Sequence, residues 1–283
     1  MPPEDLGSRL LYRDGLMLII DKPAGLAVHR GPKGGASLED YFDVLRFGLP
    51  RMPALAHRLD KETSGCLVLG RHRKALADLN LLFRHGKVGK TYWAIVEGGP
   101  AEPEGRIDLP LGRLDDKIGW WMKHDPDGLP SSSTWKVLGR GDGMTWLALE
   151  PLTGRTHQLR VHCAESGFPI LGDNIYGRAP RHGGPGLHLH AREIVVPLYK
   201  NRPPVRVTAP VPEHMKARLK ACGWDESEDR LLPPPLGLSR PRAGERPQDE
   251  GGERVPAPKL SRSSPSSAPE QDGHAPRRPS SRR

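Results

Sequence analysis

His57-Arg58-Leu59-Asp60-Lys61-Glu62-Thr63-Ser64-Gly65 leads directly into Cys66-Leu67-Val68-Leu69. The second half is a short apolar run that reads as a buried strand, and the first half is a polar loop that feeds it. Asp60 therefore stands on a loop whose far end is anchored in a core, between two cationic side chains and just ahead of a Thr-Ser-Gly turn. This is a layout suited to chemistry. A second reading stands beside it: a solvated loop acid neutralised by Arg58 and Lys61, the ordinary fate of a single Asp.

Working outward, Leu16-Met17-Leu18-Ile19-Ile20 is another apolar run, stopped by Lys22-Pro23 and Gly25, and predicts a central strand followed by a turn. Ser37-Leu38-Glu39-Asp40 with Tyr41, Val44 and Leu45 predicts a capped helix opening. From Lys74 to Phe83 the residues Ala75, Leu76, Leu79, Leu82 and Phe83 fall at helical spacing, with Gly86 placed to end the helix. Strands are expected over 91–97, 133–137, 145–150 and 193–197, and a helix over 156–165 with Leu159 and Cys163 on one face and Arg155 and Thr156 at its start. The mixture is α+β; strands and helices do not alternate as in a βαβ chain.

The 283 residues suffice for one large domain or two small ones, and the hydrophobic fraction of 36% is modest for a wholly globular chain. From Pro233 onward there is no aromatic residue, and Pro, Ser, Arg and Gly dominate. Such a segment cannot bury enough apolar surface to offset its ordering entropy, so residues 225–283 are expected to be a disordered tail, with 1–9 an N-terminal extension and 10–224 the folded domain. The formal net charge is +9, and Leu231 to Arg283 carry ten basic against six acidic side chains, so the folded part is basic as well. A basic domain suits a polyanion, since each phosphate contact releases counterions, although charge alone does not separate nucleic-acid binding from solubility. The tail reads either as a weak RNA grip or as an inert solubilising extension.

Cys66, Cys163 and Cys222 are odd in number, far apart and free of C-x-x-C spacing, which suggests neither a disulfide framework nor a zinc site and implies a reducing compartment. No signal-peptide pattern or membrane-length apolar run is present, so a soluble, cytoplasmic chain without membrane association is expected. His157 and His162, five apart, do not share a helical face, and His188 and His190 alternate with Leu187 and Leu189 as strand residues; no metal is expected. No Gly-rich phosphate loop ends in Lys-Ser or Lys-Thr, so ATP use is not expected either.

The stretch around Asp60 resembles the His-Arg-Leu-Asp-x-x-Thr-Ser-Gly signature of the RluA-type pseudouridine synthases. Three further blocks resemble the same family in the same order: Ile20-Asp21-Lys22-Pro23-Ala24-Gly25-Leu26; Lys90-Thr91-Tyr92-Trp93-Ala94; and Thr153-Gly154-Arg155-Thr156-His157-Gln158-Leu159-Arg160-Val161-His162, continued by Pro169-Ile170-Leu171-Gly172-Asp173 and Tyr176-Gly177. Together they cover about Leu10 to Trp224, and four ordered matches are far more specific than one. The resemblance implies the pseudouridine synthase fold: a mixed, mainly antiparallel sheet flanked by helices, with a catalytic cleft across its middle. It implies isomerisation of a uridine in structured RNA, tRNA or a large-subunit rRNA stem-loop, by a monomer needing no cofactor. It implies catalytic roles for Asp60, Tyr92 and Arg160, the last favoured over Arg155 as the cation beside Asp60, and RNA contacts for Arg58, Thr63, Lys90, Arg155 and His157. Members with an S4-type RNA-binding module carry it before the catalytic pattern, and this chain resembles the stand-alone members. The insertion Gly112 to Pro130, with Trp120 and Trp121 beside Lys117 and Lys123, reads either as an RNA-facing flap or as a packed hairpin. Two other functions remain open at this level: a catalytically inactive RNA-binding protein on the same scaffold, and an unrelated hydrolase using Asp60 with a histidine.

Overall fold

The computed structural model describes residues 6–31, 34–115 and 121–227, all within the compact unit Met1–Ser239. Expectations for the tail beyond Ser227, and for Lys117 and Trp120, lie outside the described residues. The sheet is laid down by β1 (Leu10–Arg13), β2 (Met17–Lys22), β3 (Ala54–Leu55), β4 (Ser64–Gly70), β5 (Gly89–Glu97), β6 (Glu104–Asp108), β9 (Ser132–Gly141), β10 (Met144–Pro151), β11 (Leu189–Val196) and β12 (Val205–Thr208). A hairpin of β7 (Leu111–Arg113) and β8 (Met122–His124) stands apart from it. In space the strands run β1-β2-β4-β11-β5-β10-β9-β6, with β12 added beside β11 and β3 beside β4. Every pairing is antiparallel except β4 with β11.

The apolar run after Asp60 becomes β4, buried along its whole length, because both of its faces are covered. Cys66 and Val68 join Met17, Ile19 and Leu79 in one cluster, while Leu67 and Leu69 join Leu18, Ile20, Leu38, Phe42 and Leu45 in another, as the two-residue side-chain period of a strand requires. Leu79 belongs to α1 (Arg73–Arg84), which His72 opens by accepting a hydrogen bond from the Ala75 N–H. Its end is a Schellman motif: Lys87 N–H donates to the Leu82 carbonyl and Gly86 N–H to that of Phe83, with Gly86 at φ +63°. On the β5–β10 half, Ala94, Val96, Leu147 and Leu149 pack with Leu159 and Cys163 of α2 (Gln158–Glu165). Ile95 and Trp146 pack with Met215 and Leu219 of α3 (Glu213–Ala221).

Three expectations are corrected. The segment opened by Ser37 is a 3-10 helix, Leu38–Leu45, held at its start by Asp40 accepting from the Ser37 N–H and followed by left-handed Phe47 and Gly48. Helix α2 begins at Gln158, two residues later than expected, because His157 takes left-handed angles of φ 52° and ψ 17° that no helical turn accommodates. Leu6 is buried, within the stretch expected as an extension, and Arg9 pairs with Asp21 at 3.0 Å. Strands β1, β3, β6 and β12 and helix α3 had no counterpart in the sequence, whereas β7 and β8 form a hairpin at the Gly112 to Pro130 insertion.

Candidate active site

Register brings distant segments to one point. Ala191 of β11 pairs with Gly65 of β4 on one side and Tyr92 of β5 on the other, so the loop entering β4 lies beside the Tyr92 ring. Gly65 makes the parallel pairing possible: at φ +107°, a Cβ there would fall 2.2 Å from the Ala191 carbonyl oxygen. Tyr92 packs against both the Leu18–Leu67 cluster and the Ala94–Leu147 cluster and so marks the seam between them. At that seam opens a cleft of about 630 Å³. One wall carries Arg58, Asp60, Arg84, His85, Lys90 and Tyr92, and the other the 151–160 segment with Arg155, His157 and Arg160.

The Asp60 loop is fixed from below. Lys22, fully buried, donates from Nζ to the carbonyls of Pro23, Lys61 and Thr63 at 2.8, 3.0 and 2.8 Å. Burial pushes its pKa down to about 7, against the opposing pull of the Glu62 and Asp60 carboxylates. Thr63 N–H closes the turn onto the Asp60 carbonyl at 3.2 Å. At the loop's start, His57 accepts from the Val68 N–H at 3.0 Å and stacks on Phe83 at 4.3 Å, and burial, with Lys90 nearby, holds its pKa near 3, so the ring is a neutral strut. Thr63, expected at the RNA surface, is instead only 2% exposed and supports the loop from within.

The basic side chains that face Asp60 come from the opposite wall, not from its chain neighbours. His157 Nε2 is 3.8 Å and Arg160 Nη1 4.0 Å from Asp60 Oδ2. Lys61 leans to Glu62 at 3.8 Å, and Arg58 is exposed, with no carboxylate partner among the described residues. Arg160, 3% exposed, is committed to Asp173, donating from Nε at 2.8 Å and Nη2 at 2.7 Å in a bidentate fork. Burial alone would raise the Asp173 carboxyl, but these bonds, the Arg160 charge and the N–H groups of Tyr176 and Ile175 hold it below the ordinary range. Arg155 turns to the Pro130 carbonyl at 3.3 Å, so Arg160 is the guanidinium beside Asp60. His157, expected as an RNA contact, is largely buried, and burial lowers its pKa even though the Asp60 charge opposes this. Burial and then the negative charge of Asp60 raise the Tyr92 phenol, which stays protonated.

The other histidines are occupied elsewhere: His162 meets Ser131 at 2.9 Å, His190 meets Ser64 at 2.8 Å, and His188 meets the Gly186 carbonyl at 2.8 Å. Lys22, His57, Asp173 and Tyr176 were not singled out from sequence. All four lay in blocks already noted, and the signal that marks Asp173 and Tyr176 is an acid and a phenol spaced to close over an arginine one helix earlier.

A carboxylate on a loop fixed from below, a guanidinium held by its own acid, a protonated phenol and an open cleft ringed by Arg58, Arg84, Lys90 and Arg155 can engage a nucleotide at its sugar. The family model described as RNA pseudouridylate synthase matches residues 16–165. An uncharacterised RNA pseudouridine synthase of Zymomonas mobilis is 42% identical over 74% of this chain and 95% of its own length. The ribosomal large subunit pseudouridine synthase C of Vibrio vulnificus is 34% identical over 75% of this chain and 68% of its own. Among solved structures, human RNA pseudouridylate synthase domain containing 4 superposes with a TM-score of 0.64 at 28% identity, covering 76% of this chain and 94% of that one. The chain thus belongs to the RNA pseudouridylate synthase family and is an isomerase that converts uridine in RNA to pseudouridine.

Proposed function

We propose that Asp60 is the catalytic carboxylate, acting on a flipped uridine of large-subunit rRNA or tRNA. The reaction breaks the N1–C1′ bond, turns the detached uracil, joins C5 to C1′, releases the C5 proton and leaves N1 to take up one; atoms balance without oxidant, nucleotide or metal. An ionised carboxylate serves both available routes, attack on C1′ and proton acceptance as the glycosidic bond breaks. The observation that carries the reading is the pair of basic side chains, His157 at 3.8 Å and Arg160 at 4.0 Å, that face Asp60 without forming a hydrogen bond to it. Tyr92 offers an aromatic face to the uracil at the same point. Arg58, exposed and unpaired to any described carboxylate, suits insertion into the stack left by the flipped nucleotide, which lowers a cost of a few kcal/mol. Lys90 and Arg155 suit contacts to flanking phosphates. The name of the Vibrio relative favours rRNA over tRNA. The protein is taken to act as a monomer, as the resemblance implies, and the free, buried Cys66, Cys163 and Cys222 suit a reducing, cytoplasmic setting.

The test uses cellular RNA labelled with tritium at uridine C5, incubated with the protein without nucleotide or metal. Tritium release and pseudouridine are expected from the wild type. Asp60→Asn is expected to bind RNA and release none; full product from that variant removes the catalytic assignment.

A further inference from the structure

The side chain of Tyr176 touches both groups that face Asp60. Its hydroxyl lies 2.8 Å from His157 Nδ1, its ring stands edge-on to His157 with centroids 5.5 Å apart, and the Arg160 guanidinium lies 5.4 Å over its centroid. Its backbone N–H binds Asp173, the acid that holds Arg160. The same hydroxyl accepts a hydrogen bond at 2.9 Å from the backbone N–H of Met122, the first residue of β8. That strand belongs to the β7–β8 hairpin, closed by Leu114 N–H donating to the Trp121 carbonyl at 2.8 Å, and Trp121 lies under Arg181 at 5.1 Å. The hairpin and the catalytic loop therefore meet through two side chains.

Proton bookkeeping gives this chain a direction. The Met122 N–H occupies one lone pair of the Tyr176 oxygen, which leaves the phenolic proton available to His157 Nδ1. A neutral imidazole that accepts at Nδ1 carries its proton on Nε2, the nitrogen facing Asp60. Burial keeps both partners in the forms this requires, a protonated phenol and a neutral ring. The backbone supports the same geometry at a cost: His157 holds left-handed angles that a non-glycine residue adopts only when its surroundings impose them.

We infer that Tyr176 and His157 are positioning residues that link docking of the β7–β8 hairpin to Asp60, with Tyr176 fixing the imidazole as the Nε2–H tautomer so that its donor is aimed at the carboxylate. The hairpin is then more than an RNA-facing wall: seated, it completes the orientation of the acid. The 3.8 Å separation closes to a hydrogen bond when the substrate fills the cleft, as catalytic contacts tighten on complex formation. This inference rests on Asp60 being the reacting carboxylate.

The test is made on the full chain, with Tyr176→Phe as the principal variant because it deletes the hydroxyl and keeps the ring beneath Arg160. Three readings are taken: the imidazole nitrogen NMR pattern of His157, the single-turnover rate of tritium release at saturating C5-labelled RNA, and RNA affinity. The wild type is expected to show His157 as the Nε2–H tautomer. In Tyr176→Phe the pattern is expected to become a mixture, with the saturated rate falling roughly ten- to a hundredfold, the scale on which small misplacements act, and affinity staying within about threefold. His157→Gln, which returns an amide donor near the Nε2 position, is expected to recover more rate than His157→Ala. A merely structural role would lower both His157 variants alike and leave no such recovery. An Nδ1–H tautomer in the wild type overturns the inference without need of any variant, and so does a wild-type rate in Tyr176→Phe. Asp60→Asn run alongside separates the outcomes: if it retains full activity, the assignment of Asp60 fails first.

Discussion

Arg160 and Asp173 are both almost fully buried, 3% and 1% exposed, so each depends on the other to offset the loss of water. Removing one member strands a charge. Asp173→Ala is expected to destabilise the fold by about 3–5 kcal/mol, read from the urea midpoint. The pH dependence has a definite sign. Because Asp173 has its folded value depressed, its stabilisation is complete above the ordinary carboxylate range near about pH 4 and is lost as pH falls through the lower folded value. Asp173→Asn should therefore flatten the fall of stability below about pH 4, and a curve as steep as the wild type's would show that the pair is not its source. Lys22 works differently, since its three acceptors are backbone carbonyls, two in the catalytic loop and one at Pro23 in the turn that follows β2. Lys22→Met takes the Nζ donor from the Pro23 and Thr63 carbonyls in an apolar setting at about 1–3 kcal/mol for each group not reached by water, while the Lys61 carbonyl still accepts from the Gly25 N–H. It is expected to lower the rate of tritium release more than RNA affinity, because the loop it frees carries Asp60.

Among the elements, β4 and β11 set the position of everything in the cleft, and their contact is as close as backbone allows. Gly65→Ala would drive a methyl into the Ala191 carbonyl, against backbone that cannot rotate away, so a loss of about 3 kcal/mol or more is expected as a lower melting temperature or insoluble expression. The β7–β8 hairpin makes the contrasting case: it stands outside the main sheet and is held by packing of β8 on α2, by the Met122–Tyr176 hydrogen bond and by Arg181 over Trp121. Shortening its tip between Leu114 and Trp121 is expected to weaken RNA affinity with little change in melting temperature; unchanged affinity would remove it from the RNA surface. These two cases show which elements were legible. β4, β2 and α1 announce themselves because burial on both faces, or a helical stripe between caps, writes a periodic signal into the chain. β1, β3, β7, β8 and β12 have two to four residues each, too few for a period, and are strands only because a partner pairs with them. The α2 boundary was missed for a related reason, since the left-handed turn at His157 is imposed by Tyr176 and the opposite wall, not by local preference.

For the molecule as a whole, the site was legible as a set of motifs and illegible as a geometry. Asp60, Tyr92 and Arg160 stand in separate blocks that no local pattern joins; the β4–β11–β5 register joins the first two, and packing of α2 on the β5–β10 half brings in the third. The supporting shell stayed hidden because Lys22 and Asp173 are charged residues in the interior, where sequence reasoning expects apolar ones. Charge, by contrast, is fully written in the sequence: the chain is +9 overall, and Leu231 to Arg283 hold ten basic and six acidic side chains. If those basic residues contact RNA phosphates, each contact contributes counterion release, and the logarithm of affinity falls against the logarithm of salt with a slope of about 0.7–0.9 per phosphate neutralised. A chain ending at Ser227 is then expected to bind RNA more weakly at low salt, with a shallower salt slope, while its saturated rate of tritium release matches the full chain because every cleft residue remains. Affinity measured from low to high salt for both chains decides the matter: parallel lines would assign the whole electrostatic grip to the folded part, where Arg58, Arg84, Lys90 and Arg155 ring the cleft.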